Sequence, residues 1–251
     1  MRLLLITAFG VGGATVVGAL LGFLFEKIPH KWNDAILGFA AGIMLAAAVL
    51  GLILPSVEQA GKSGFWITAA GILVGALFLN MMDKVTPHLH HISGVDKEQH
   101  ENNASLNKIM LFVMAIAIHN LPEGLAAGVG FGAGDVGNAI TVALGIALQN
   151  IPEGMVIISP MLLAGVSKKR TLLIASFTGL VEVIGTFIGY FTATISTAIL
   201  PFALAFAGGT MLYVISDEMI PETHSHGYER MATYALLVGF IVMLFMDTFI
   251  G

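Results

Sequence analysis

The chain has no cysteine among its 251 residues. That excludes disulfides, thiolate zinc sites and nucleophilic thiols together, so any metal site has to use His, Asp, Glu, Asn, Gln or Met. Charge is scarce too. Only 11% of residues are charged, against about 25% in a typical soluble domain, while 57% are hydrophobic and the mean hydropathy is +0.89. A soluble class is thereby excluded, and the expected fold is an all-α integral membrane protein. The net charge of −5 gives no reason to expect nucleic acid. No glycine-rich phosphate loop is present, so neither a nucleotide partner nor direct use of ATP is expected. There is no His-Glu-x-x-His run either, which weighs against a metal-dependent hydrolase acting inside the membrane.

What the chain does have is long apolar runs. A hydrocarbon core about 30 Å thick takes roughly 20 apolar residues per helix. Runs between polar breaks mark eight transmembrane helices, at about 3–25, 35–55, 65–83, 107–130, 138–164, 171–195, 201–220 and 231–250. Thirteen Met and thirty Gly suit close-packed membrane helices, Met filling gaps and Gly admitting close backbones. The first run opens with Arg2 and contains Val17-Gly18-Ala19, as a cleavable signal would. It continues unbroken through Leu20–Phe25, too long for a signal core, and is read as a retained helix.

Charge sets the orientation. The loops after spans 1, 3, 5 and 7 hold Lys27, Lys31, Lys84, Lys97, Lys108, Lys168, Lys169, Arg170 and Arg230; the other side holds Arg2 and Lys62. The positive-inside rule then puts both termini outside the cytoplasm. The one long loop, at about 84–106, is expected to be cytoplasmic and mobile, because His88, His90, His91 and His100 stand there among Asp96, Glu98 and Glu101. His88, His90 and His91 are candidates for loose metal capture; a solvated loop without such a role fits the same composition.

Two copies of one hexapeptide stand thirty residues apart, His119-Asn120-Leu121-Pro122-Glu123-Gly124 and Gln149-Asn150-Ile151-Pro152-Glu153-Gly154. Each lies in an apolar stretch with no other charge. A charged side chain in hydrocarbon costs roughly 2.5–3.5 kcal/mol on insertion scales unless something compensates it. On a helix, His119 and Glu123 share a face, as do Gln149 and Glu153, with Asn120 and Asn150 on the flank. Pro122 and Pro152 lack an N–H, so the carbonyls of Ile118 and Leu148 lose their helical donors. If spans 4 and 5 pack side by side, the two glutamates face one another and repel, and a divalent cation between them resolves the repulsion. Imidazole with carboxylates and amide oxygens is a mixed set suited to Zn²⁺, Fe²⁺, Mn²⁺ or Co²⁺ rather than Ca²⁺. Glu182, in the middle of span 6, is a natural further ligand. Singly, such residues often only link helices; together they point to metal movement across a membrane.

A second similarity joins span 2 to span 7. Gly42-Ile43-Met44-Leu45 precedes Leu54-Pro55-Ser56-Val57-Glu58, and Gly209-Thr210-Met211-Leu212 precedes Ile220-Pro221-Glu222. Since the two spans run in opposite directions, an inverted repeat of spans 1–3 and 6–8 around central spans 4 and 5 is expected.

These residues resemble the Zrt/Irt-like (ZIP) divalent-metal transporters of bacterial type. The resemblance rests on the two hexapeptides, Gly179-Leu180-Val181-Glu182 and Asp217-Glu218-Met219-Ile220-Pro221-Glu222, and covers essentially the whole chain. It implies a single transmembrane transporter domain over 1–251, a homodimer in the cell membrane, import towards the cytoplasm, and alternating access by a moving block of spans 1, 4, 5 and 6. It also implies a two-metal site, with His119, Glu123, Gln149 and Glu153 around one ion and Asn120, Glu123, Asn150, Glu153 and Glu182 around the other. Met44 and Glu58 match the family's access side, and Asp217, Glu218 and Glu222 its release side. Four positions depart from the family: Asn150 where Asp is frequent, Gly51 where some relatives have Ser, Val183 where Pro is common, and Asp217 where some have His. The expectation is no enzyme and no catalytic cofactor, with Zn²⁺ foremost as cargo and iron, manganese or cadmium also accommodated. The alternatives are a metal-selective channel of the same architecture and, less favoured, an intramembrane hydrolase.

Overall fold

Apolar runs of this length become helices because hydrocarbon offers the backbone no partner, and a helix satisfies its own N–H and C=O groups. The computed structural model describes the backbone of residues 1–25, 28–61, 64–92, 103–163, 165–195 and 198–250, and the side chains at all of these except 83–92, 103–116, 160 and 163. Among the described residues there are eight long helices and no strand. They are α1 (Arg2–Gly22), α2 (His30–Ala60), α3 (Gly64–Ile92), α4 (Asn103–Gly132), α5 (Val136–Leu163), α6 (Lys168–Ile195), α7 (Leu200–Thr223) and α8 (Glu229–Ile250). Over the described residues, seven of them are long and apolar enough to cross a membrane, and α4 carries the first hexapeptide. The chain is an all-helical, multi-pass membrane protein.

The helices run past the apolar stretches at several ends. α2 starts at His30 and takes in Asp34, while α3 continues to Ile92. A polar residue ends an apolar run but not a hydrogen-bonded ladder, so hydropathy alone places helix ends too early. Part of the loop expected at about 84–106 is therefore helical: His88, His90 and His91 stand on the last turns of α3, and α4 begins at Asn103. The rest of that loop, with His100, falls in 93–102, outside the described residues.

The largest helix contacts are α4 with α6, α2 with α8, α1 with α5 and α3 with α7, followed by α1 with α6. They divide the helices into one group of α1, α4, α5 and α6 and another of α2, α3, α7 and α8. Glycines set these contacts. Gly12 and Gly179 lie against each other's carbonyl oxygens. Gly18 lies on the carbonyl of Ile151, and Gly185, the same interval further along, on that of Leu121. Gly154 lies on Thr15 and Gly124 on Glu182; Gly42 lies on Leu236 and Gly209 on Ile72. Gly12 and Gly18 on α1 thus make contacts like those of Gly179 and Gly185 on α6.

α2 and α7 each contain a stretch of wider π-helical turns, Ala47–Ile53 and Ile215–Met219, ending two residues before Pro55 and Pro221. Proline lacks the N–H that an α-helix needs and its ring collides with the carbonyl four residues back; a wider turn relieves the collision. The two helices run antiparallel. The Ser56 hydroxyl, at 2.7 Å, donates to the Pro201 carbonyl, while Gly208 packs on Ala48 and Ile53.

The glycine contacts are testable by filling them. In detergent, Gly42→Ala or Gly239→Ala is expected to lower stability by about 1–3 kcal/mol through overpacking, seen as a reduced melting temperature. Gly10→Ala, whose new methyl group meets nothing within 4 Å, is expected to cause no loss. Equal melting temperatures for all three would contradict this packing.

Candidate metal centre

Both hexapeptides sit inside continuous helices, α4 and α5, so the spacing that places His119 with Glu123 and Gln149 with Glu153 on a shared face is realised. The glycine after each glutamate fits against a neighbouring helix, Gly124 on α6 and Gly154 on α1. These contacts hold α4 close to α6 and α5 close to α1, and place the polar faces between them. His119, Asn120, Glu123, Gln149, Asn150 and Glu182 are all buried, His119 at 8% exposure and the others at 1% or less. Glu153 is partly buried.

The donors and acceptors pair in a definite pattern. Gln149 Nε2 donates to Glu123 Oε1 at 2.7 Å. Asn150 Nδ2 donates to Glu182 Oε1 at 2.6 Å and to the Val11 carbonyl at 3.1 Å. His119 Nε2 meets Glu218 Oε1 of α7 at 2.6 Å. A carboxylate only accepts, so in a neutral ring Nε2 carries the proton and Nδ1 keeps the lone pair. Glu123, Glu153 and Glu182 are electrostatic neighbours, like charges that repel one another.

What is left over is mostly acceptor. Among the described residues, Asn120 Oδ1, Glu123 Oε2, Gln149 Oε1, Asn150 Oδ1 and Glu182 Oε2 are buried without a hydrogen-bond partner; the donors in that state are Asn120 Nδ2 and the Thr15 hydroxyl beside Glu182. A buried polar atom left unpaired costs about 1–3 kcal/mol, more when charged. Five oxygens in this condition, two of them on carboxylates, form a site short of positive charge. Hydrogen-bond donors already hold the other oxygens of Glu123 and Glu182. Among the described residues, no three His, Asp or Glu side chains converge on a single ion position in this arrangement.

The other candidates are dispersed. Met44 is fully buried in the core of α2, whereas Glu58 is exposed near the far end of that helix. Asp217 and Glu222 are exposed; of the α7 acids only Glu218 reaches the cluster, through His119.

Sequence reading missed a second polar cluster. Asp34 is fully buried at the start of α2, with Oδ1 at 3.0 Å from His226 Nδ1 and Oδ2 unpartnered among the described residues. The His226 ring stacks on His30, with centroids 4.3 Å apart. The signal was slight: Asp34 lies just outside the apolar run, and its partner is far away along the chain. Asn138, whose Nδ2 donates to the Gly51 carbonyl at 3.0 Å, was also missed. An Asn near a helix start reads as a cap.

Known proteins resemble this chain along almost its full length. Residues 96–247 match the family model described as ZIP zinc transporter. The zinc transporter GufA of Myxococcus xanthus is 39% identical, over 98% of each chain. The zinc transporter ZIPB of Bordetella bronchiseptica is 38% identical over 95% of this chain and 78% of its own. The human zinc transporter ZIP11 is 31% identical over 98% and 97%. With the paired hexapeptides buried between glycine-packed helices, these matches show that the chain belongs to the ZIP zinc transporter family.

Proposed function

We propose that this protein carries divalent transition-metal ions, zinc foremost, through the membrane by way of the cluster between α4, α5 and α6. The observation that carries the reading is the surplus of buried acceptor oxygens on Asn120, Glu123, Gln149, Asn150 and Glu182. Zinc accepts nitrogen and oxygen ligands, and this set, with His119, supplies both. The relatives are named as zinc transporters, which supports the same cargo.

The pairings suggest how cargo is taken up. Gln149 and Asn150 each hold a carboxylate through an amide N–H and keep an amide oxygen without a partner. An arriving cation takes the carboxylate oxygens, and a turn of either amide then presents its oxygen to the same ion. His119, steadied at Nε2 by Glu218, offers Nδ1. The ligand set is His119, Glu123, Gln149 and Glu153 for one ion and Asn120, Glu123, Asn150, Glu153 and Glu182 for a second, the glutamates bridging. With Asn rather than Asp at position 150, the second set carries one charge fewer and binds more weakly.

The matched glycine contacts of α1 with α6 and of α2 with α7 support an inverted repeat, and the two helix groups support alternating access, with α1, α4, α5 and α6 moving as a block. The charge imbalance between loops supports termini outside the cytoplasm and import as the direction. Glu58 then marks the side of access, and Asp217, Glu218 and Glu222 the side of release.

In liposomes, zinc uptake should saturate with concentration and fall by at least about 100-fold in the Glu123→Ala, Glu153→Ala double variant, since losing even an outer-shell partner of a metal ligand costs about 10–100-fold. Equal flux in a folded double variant would make the motifs structural. Asn150→Asp takes away the N–H that holds Glu182 and adds a repelling charge. Without metal, this variant should melt at a lower temperature than the parent; zinc should stabilise it by a larger shift, because a ligand bound only by the folded state stabilises in proportion to its affinity. An unchanged zinc-induced shift would contradict the assignment of Asn150 to the weaker set.

A further inference from the structure

Two hydrogen bonds among the described residues cross between the helix groups. His119 on α4 meets Glu218 on α7, and Asn138 on α5 meets the Gly51 carbonyl on α2. Because α2 and α7 run antiparallel, Gly51 and Glu218, each in the second half of its helix, lie towards opposite ends of the bundle. The first bond belongs to the metal cluster. The second lies outside it.

Its setting is built for a clasp. Pro55 has no N–H, so the Gly51 carbonyl four residues earlier has no α-helical donor, and the π-helical turns around it widen the helix. Asn138 supplies a donor from the neighbouring group, at 3.0 Å. Asn138 is itself held at the start of α5, where its backbone N–H donates to Asp135 Oδ1 at 3.1 Å. Gly51 is buried, and a Cβ there would strike Val142, one turn beyond Asn138 on α5. The lack of a side chain at position 51 is what lets α5 come close enough for the amide to reach.

We propose that Asn138 is a positioning residue of the outer gate: its amide clasps the Gly51 carbonyl, keeps α5 against the π-helical segment of α2, and closes the outer route to the metal cluster until the bond is released. The inference rests on the alternating-access reading above. It assigns the outer closure to a side chain that touches no metal. Opening breaks one neutral hydrogen bond and returns both groups to water at the outer face, so the clasp is weak enough to cycle.

The protein's lack of cysteine makes the test direct, since one introduced thiol is the only thiol present. Val142→Cys places it on the face that Gly51 covers. A membrane-impermeant maleimide is applied to the outer face of right-side-out vesicles, with Asn138 intact, replaced by the similarly sized Asn138→Leu, or replaced by Asn138→Ala. Both replacements are expected to speed labelling about five- to ten-fold, the effect of losing one hydrogen bond, and to shift the half-saturating zinc concentration more than the maximal uptake rate. Asn138→Gln, which restores an amide donor, should slow labelling again. Unchanged labelling in both folded variants, or labelling from the inner face alone, would overturn the clasp. Faster labelling of the two variants, where the protein with Asn138 intact takes up no zinc, would leave the clasp standing and remove the transport reading beneath it.

Discussion

Carboxylates placed in hydrocarbon are the constraint on which this structure turns. Glu123 and Glu182 are fully buried, each held by an amide N–H, and each has a second oxygen without a hydrogen bond among the described residues. Such groups are tolerated only where the surroundings offer compensation, and here protein donors offer half of it. The rest of the architecture serves that arrangement. Glycines after the two Pro-Glu pairs let α4 and α5 close on α6 and α1, which encloses the cluster. Without that approach the acids would meet lipid or water.

The fold also separates rigid contact from adjustable contact. Within each helix group, backbones touch through glycine, and such contacts admit little sliding because any change of register brings a side chain against a carbonyl. Between the groups, π-helical turns in α2 and α7 stand next to the crossing hydrogen bonds. The two stiff groups share one apolar core and are bridged by these polar contacts, an arrangement that suits the alternating access proposed above.

Much of this was legible in the sequence, for identifiable reasons. The apolar runs fixed where helices form, and the i, i+4 spacing of His119 with Glu123 fixed a shared polar face. The matched motifs of α2 and α7 were legible as a similarity between the two spans, but not the widened turns that both helices adopt before a proline. Helix ends were less legible, since hydropathy marks the edge of an apolar run: α2 reaches back to His30, and α3 carries His88, His90 and His91. Least legible were pairs distant in sequence. Nothing local to Asp34 announces His226, and nothing in Asn138 announces Gly51. Glu218 was expected on a release path, but its bond to His119 depends on how α4 meets α7.

The central claim is that the buried oxygens and His119 surround the transported ion. X-ray absorption at the zinc edge tests it most directly, on purified protein loaded with a single equivalent of zinc. The account predicts a shell of nitrogen and oxygen with an imidazole signature that disappears in His119→Ala and a shell that is disrupted in Glu123→Ala. An imidazole signature unchanged in His119→Ala, with a zinc shell indifferent to Glu123, would place the ion elsewhere and contradict the account.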